Sequence, residues 1–182
     1  MTYQPAIMSV SLRRAWLQGF DYRISQAANT GFQVIEVFYE DLEYTARDIP
    51  GKDTPTADQL FQVADHIHSV CQPQGLEIIG LQQLLLYERP RDREQHAKLI
   101  KKMVSWLQIV KRLHTTTIQI LANFLSADQL TDDFDIIAAD LRQVAAMAVA
   151  ETPFVCFAYE NLFWSTHLDT REKLWTVVKR VG

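Results

Sequence analysis

FAYENLFWSTHLDTREKLW, residues 157–175, is the stretch on which the reading of this chain turns. An apolar run from Phe154 to Tyr159 ends on a carboxylate, Glu160, and then Asn161. A polar turn follows, with a helix start at Asp169. The pattern is that of a buried strand that delivers one Glu to its C-terminal tip and is followed by a helix. In α/β folds that tip is where ligands and metals are held.

Moving outward, the same strand-then-helix grammar repeats. Ala6–Leu12, Val34–Phe38, Leu76–Leu81 and Thr116–Leu121 read as the four preceding strands. Between them, Asp21 caps a helix that stops at Gly31, and Thr54 with Pro55 opens a second helix. That second helix places Leu60, Ala64, Ile67 and Cys71 on one face. Asp92 opens the longest helix, with Ile100, Met103, Val104, Leu107 and Val110 as its buried stripe. Ser126 with Gln129 suits a capping box for a short turn. Ile137, Leu141, Val144, Ala145 and Ala148 mark the next helix, and Leu174, Val177, Val178 and Val181 the last. Five β-α units in series argue for a parallel sheet with right-handed crossovers. Two architectures fit: a doubly wound five-stranded sheet, or the first five units of a (β/α) TIM barrel, which typically needs ~250 residues.

Composition narrows the function classes. The 182 residues suffice for one domain with a sizeable core, and their net charge of -4 favours neither nucleic acid nor an anionic membrane. No apolar run is long enough to span a bilayer. Cys71 and Cys156 lie far apart, so a disulfide framework is not expected and a reducing, cytoplasmic compartment fits better. No Gly-rich phosphate loop, nucleophile elbow or paired-Cys zinc spacing occurs.

Read together and in order, AIMSVSL at 6–12, GFQVIEVFYEDLE at 31–43, YERPRDREQH at 87–96, NFL at 123–125 and the stretch at 157–175 resemble the fungal-type 3-dehydroshikimate dehydratases. These belong to the xylose-isomerase-like TIM barrels, together with sugar phosphate isomerases and epimerases and the endonuclease IV group. The resemblance implies an incomplete barrel over residues 1–182, truncated after the fifth β-α unit. It implies a divalent metal, Mn2+ or Mg2+, at the C-terminal face, with Glu160 as its first ligand. The later ligands come from strands six to eight. LDT at 168–170 is not the family's strand-six motif, because it belongs to the helix start after strand five. A further departure stands after strand three, where Leu85 occupies the place of an Arg suited to the substrate carboxylate, with Arg89 or Arg91 as the nearby substitutes.

The implied activity is dehydration of 3-dehydroshikimate to protocatechuate in quinate or shikimate catabolism. A sugar phosphate isomerase or epimerase of the same barrel class is the alternative. A catalytically inactive fragment that self-associates through open sheet edges is the third reading, since strands one and five are left unpaired. The substrate expected is a cyclic hydroxy acid or a sugar. Tyr39 and Glu40, at the end of strand two, and Trp164 and His167, in the loop after Glu160, are the residues expected to face it. The catalytic base stays unassigned. Glu36 points either into the barrel layer or out, and Asp41 is expected as a local turn or helix cap. His66, His68, His96 and His114 are expected in surface or packing roles.

Overall fold

A computed structural model describes residues 3–49, 54–84, 87 and 90–182. The strands of its sheet follow one another in chain order, β1-β2-β3-β4-β5, without a reversal. That order excludes the doubly wound alternative, in which the order must reverse. The chain divides into two compact units, residues 1–82 with 108–117 and residues 83–107 with 118–182.

The first unit contains β1 (Ala6–Met8), α1 (Phe20–Asn29), β2 (Val34–Phe38), α2 (Tyr39–Arg47), α3 (Ala57–Cys71) and most of β3 (Glu77–Leu84). Strand β1 is shorter than expected, because Ser9–Leu12 turns into a 3-10 helix. β1 pairs with β2 in parallel, Ala6 opposite Val34 and Met8 opposite Glu36. β2 pairs with β3 in parallel, with a register shift at Ile35/Glu36 that sets Glu36 opposite Gly80 and Phe38 opposite Gln82. A side chain at Gly80 would bring its Cβ to 3.4 Å from the Thr117 carbonyl oxygen, so glycine suits this close approach. The apolar stripe of α3 is buried as expected: Leu60, Ala64, Ile67 and Cys71 are buried, as are Ile24, Ile35 and Leu81 of the same unit. Burial pushes the Cys71 thiol up to about 12, which leaves it protonated and inert at neutral pH. Two helix starts differ from expectation. α3 is capped by Thr56 in a full capping box with Gln59, two residues after Thr54. α1 begins at Phe20 after Gly19, so Asp21 lies in its first turn instead of capping it.

The second unit contains α4 (Arg93–Arg112) up to residue 107, all of β4 (Thr117–Leu121) but Thr117, α5 (Phe134–Val149), β5 (Cys156–Glu160) and α6 (Arg171–Val181). Asp92 accepts from the Glu94 and Gln95 amides, the expected cap of α4. The stripe on α4 is offset from expectation: Met103, Trp106 and Leu107 are buried, and Val104 is 52% exposed. α6 is capped by Thr170, whose hydroxyl accepts from Lys173 N, while Asp169 pairs with the Lys173 ammonium at 2.6 Å. Of its expected buried face, Val177 alone is fully buried. The reading of residues 154–159 as a wholly buried strand also needs correction. Phe154 is 61% exposed, and Cys156, Ala158 and Glu160 alternate outward along β5. Phe157 and Tyr159 between them are half-buried, so period-two alternation survives as exposure instead of burial.

His96 takes the packing role, at 4% exposed. Arg93 donates from Nη2 to His96 Nδ1 at 2.9 Å, so the ring proton belongs on Nε2, which lies 3.4 Å from Asp140 Oδ1. Asp140, itself buried, also accepts two bonds from Arg93 at 2.7 and 3.1 Å, and the Tyr87 hydroxyl donates to its carbonyl at 2.9 Å. Burial holds the imidazole below its usual 6.5, Asp140 opposes that shift, and Arg93 adds to it. The unfolded chain therefore takes up this proton at a pH where the folded chain does not. Stability is full above about 6.5 and falls as the pH drops toward the lowered folded value. Melting temperature should decline between about pH 7.5 and about pH 5.5, and His96→Gln should flatten part of that decline. An unchanged slope in the variant would remove His96 from the account. His68, stacked on His114 at 3.9 Å, is lowered chiefly by burial and supplies a second contribution of the same sign.

Candidate functional site

Each unit presents its own group of polar side chains at the C-terminal ends of its strands. In the first unit, Glu36 on β2 accepts from Gln82 Nε2 on β3 at 3.2 Å. Glu36 therefore has a partner on the neighbouring strand, which is what a half-buried carboxylate requires. Tyr39 and Glu40 directly follow β2, but they open helix α2 instead of lying in a loop. Both sit in its first turn, where negative charge is favoured. Partial burial raises the Glu40 carboxyl, and the Arg14 guanidinium, 3.7 Å away, opposes that rise.

Asp41 is neither a surface turn nor a cap. It is 2% exposed and forms a buried ion pair with Arg23 of α1. Ser9 donates to the same carboxylate at 2.5 Å and accepts from the Phe38 amide at 2.8 Å. The Arg23 guanidinium also donates to the carbonyls of Ser9, Arg13 and Gln18 at 2.9–3.0 Å. One side chain thus fastens the connection between β1 and α1 to the start of α2. It also holds Arg13 at a φ of 119°, a region that side-chain-bearing residues rarely occupy and that persists only when the surroundings fix it.

In the second unit, Glu160 is the last residue of β5, as expected, and its carboxylate is exposed. Gln119 of β4 donates from Nε2 to Glu160 Oε2 at 2.6 Å. The Gln119 Oε1 atom is buried without a hydrogen-bond partner. Gln119 was not among the expected site residues. TIQIL places Gln119 between two isoleucines, on the strand face opposite theirs, a pattern that points to Glu160 only once the two strands are adjacent.

The loop that follows Glu160 is fixed by the NFL segment. Ser165 Oγ donates to the Asn123 carbonyl at 2.8 Å, and the Thr166 amide donates to the same oxygen at 3.4 Å. Leu162 and Leu168 are buried beneath it. Trp164 is 56% exposed and meets Phe163 edge-on at 4.7 Å. His167 lies half-buried in the same loop. Leu85 and Arg89 lie outside the described residues. Arg91 donates to the Leu130 carbonyl at 2.7 Å, a role internal to the fold.

A catalytic zinc uses three protein ligands, and harder cations need as many oxygens or more. Among the described residues, no group of three or more His, Cys, Asp or Glu converges on one point. The Glu160 carboxylate is suited to coordination, but the donor set on the described residues does not by itself fit a metal ion. Gln119 and Glu160 can jointly orient a polar ligand: one oxygen of the carboxylate is held, and a buried amide oxygen awaits a donor.

Comparison with known proteins adds the family context. Residues 24–182 match the family model described as xylose isomerase-like TIM barrel. The chain is 38% identical over 181 residues to the 3-dehydroshikimate dehydratase of Neurospora crassa, covering 97% of this chain and 50% of that protein. It thus spans about half the length of this curated relative. A fusion protein of a xylose isomerase-like TIM barrel and 4-hydroxyphenylpyruvate dioxygenase superposes with a TM-score of 0.79 at 21% identity, covering all of this chain and 25% of that one. IolI, solved with a bound zinc atom, superposes with a TM-score of 0.71 at 15% identity over 98% of this chain and 59% of its own.

Proposed function

Since the chain belongs to the xylose isomerase-like TIM barrel family, we propose that it supplies the first five β-α units of a 3-dehydroshikimate dehydratase-type lyase. The observation that carries this reading is the 38% identity to a 3-dehydroshikimate dehydratase along 97% of the chain. The fusion protein and IolI superpose on the chain at 21% and 15% identity and share the fold alone, so the dehydratase reading is preferred over a sugar isomerase or epimerase.

The reaction takes 3-dehydroshikimate to protocatechuate with loss of one water. A base removes a proton beside the ketone, the resulting enolate expels the β-hydroxyl, which takes that proton and leaves as water, and the dienone formed tautomerises to the aromatic diol by moving a ring proton to the ketone oxygen. Catalysis of such a step depends on electrostatic stabilisation of the enolate oxygen. On this reading Glu160 would be the first ligand of a divalent metal, which when bound would supply Lewis-acid polarisation of the ketone. Gln119 holds the Glu160 carboxylate in one orientation. Trp164 and His167, in the loop after Glu160, would face the cyclic hydroxy acid. The edges of β1 and β5 would allow association with another copy. A cytoplasmic setting suits two free cysteines, and no described helix is long and apolar enough to cross a membrane.

Co-expression with the second half of the Neurospora crassa enzyme tests this. The expected result is a complex that forms protocatechuate and loses the activity with a chelator. Glu160→Gln should lower the rate by at least ~100-fold, the order expected for loss of a charge-stabilising group. A folded complex that binds metal and yields no protocatechuate would sink the reading.

A further inference from the structure

The first unit carries a second concavity that the strand-tip residues do not use. It has a volume of about 710 Å3 and is lined by residues 15–22 together with Tyr44, Thr45, Asp48 and His66. Its walls are aromatic. Trp16 and Tyr44 face one another with centroids 5.2 Å apart and planes tilted by 44°, and Tyr22 adds a third ring. Trp16 is 52% and Tyr22 55% exposed, so these rings stand in water although burial would stabilise them. The lining carries two carboxylates, Asp21 and Asp48, and neither lysine nor arginine. Asp21 accepts from His66 Nε2 at 2.8 Å, which leaves its second oxygen available.

Three properties of the site act together. The segment bearing Trp16 is held rigidly, because Arg23 ties the Arg13 and Gln18 carbonyls on either side of it to the core. A rigid loop loses little entropy when it binds. The rings also accept planar cations: the Arg14 guanidinium lies 5.5 Å from the Trp16 centroid, and that of Arg47 lies 4.3 Å from the Tyr44 centroid. Neither arginine lines the cavity. Finally, aromatic faces beside carboxylates match the two modes of guanidinium recognition, stacking on a ring and a forked hydrogen bond to an acid. A lysine ammonium, a strongly hydrated point charge, uses neither as well.

We propose that this cavity is a binding site for a guanidinium group, stacked against Trp16 and Tyr44 and paired with Asp48 and Asp21. The group arrives either as a free small molecule or as an arginine side chain of a partner protein. The chemistry is shared, and the experiment separates the sources.

The test is a two-dimensional amide and indole NMR titration of the intact 182-residue chain with L-arginine, with N-acetyl-arginine methylamide and with citrulline, the neutral isostere. Both arginine compounds should shift the Trp16 indole signal, assigned by its loss in Trp16→Phe, and the amides of residues 44–48. Citrulline should bind at least ~10-fold more weakly. Asp48→Asn, at an exposed position, should weaken binding roughly 3- to 10-fold, and Tyr44→Leu by a similar factor. Preference for free arginine identifies a small-molecule site, and equal binding of the capped compound identifies a side-chain site. No shift at ~50 mM ligand (far above the millimolar range expected of a few such contacts), or equal binding of citrulline, overturns the proposal. The readout requires no enzymatic activity, so it stands or falls independently of the dehydratase reading.

Discussion

Arg23→Met should lower unfolding stability by about 3–5 kcal/mol, measured as a shift of the urea midpoint at unchanged slope. Both members of the Arg23–Asp41 pair have side chains only 2% exposed, so removal of the guanidinium strands a buried carboxylate. It also strands the carbonyls of Ser9, Arg13 and Gln18. This second loss separates the site from an ordinary buried ion pair. Replacing both partners of such a pair by apolar residues often restores stability. Here the double variant Arg23→Met with Asp41→Leu should recover only part of the loss, because three carbonyls and the Ser9 hydroxyl still lack their partner. Full recovery would show that the carbonyl contacts contribute nothing. Relief of the strain at Arg13 gives an internal check: Arg13→Gly should be neutral or stabilising in the parent chain.

Asp140→Ala should cost about 2–3 kcal/mol. Its carboxylate is the common acceptor for Arg93 and the neighbour of His96, and each of the three comes from α4 or α5. The cost is smaller than for Arg23 because the Arg93 side chain is 52% exposed and can be solvated once its partner is gone. The consequence reaches beyond stability. This cluster holds the start of α4, directly after Pro90–Asp92, and the Tyr87 hydroxyl bonds to the Asp140 carbonyl. Amide exchange in residues 90–96 should accelerate more than exchange in the middle of α5. Uniform acceleration along α5 would show that Asp140 acts as a core residue and not as an anchor for this segment.

The fold was legible because β-α alternation depends on short-range pattern. The α3 stripe at Leu60, Ala64, Ile67 and Cys71 is buried as read, and Glu160 does end β5. Strand order was not legible, since both architectures have the same alternation and differ only in which strands become neighbours. The misreadings share one cause: long-range pairing changes what a polar residue means. Asp41 reads as a cap within its own segment and becomes buried only when Arg23, 18 positions earlier, folds onto it. His96, left open in the sequence between a surface and a packing role, is settled as buried only when Asp140 arrives from α5. Capping residues were misplaced by one or two positions at Thr56 and Thr170, within the ordinary latitude of helix ends. β5 was read as wholly buried because its apolar content is high, but burial also requires a covering layer. Gln119 passed unnoticed because a single glutamine in an isoleucine-rich strand carries meaning only beside Glu160.

The bonds that join Ser165 and Thr166 to the Asn123 carbonyl bear on traffic through this end of the second unit. Lids that admit substrate and release product are drawn from the least protected parts of a fold. The stretch following Glu160 is the opposite: the Ser165, Thr166 and Leu168 amides are engaged, and Leu162 and Leu168 are buried. On the proposed function, a ligand beside Glu160 would therefore pass a fixed rim, and its residence time would be governed by contacts to the rim instead of by the opening and closing of this loop.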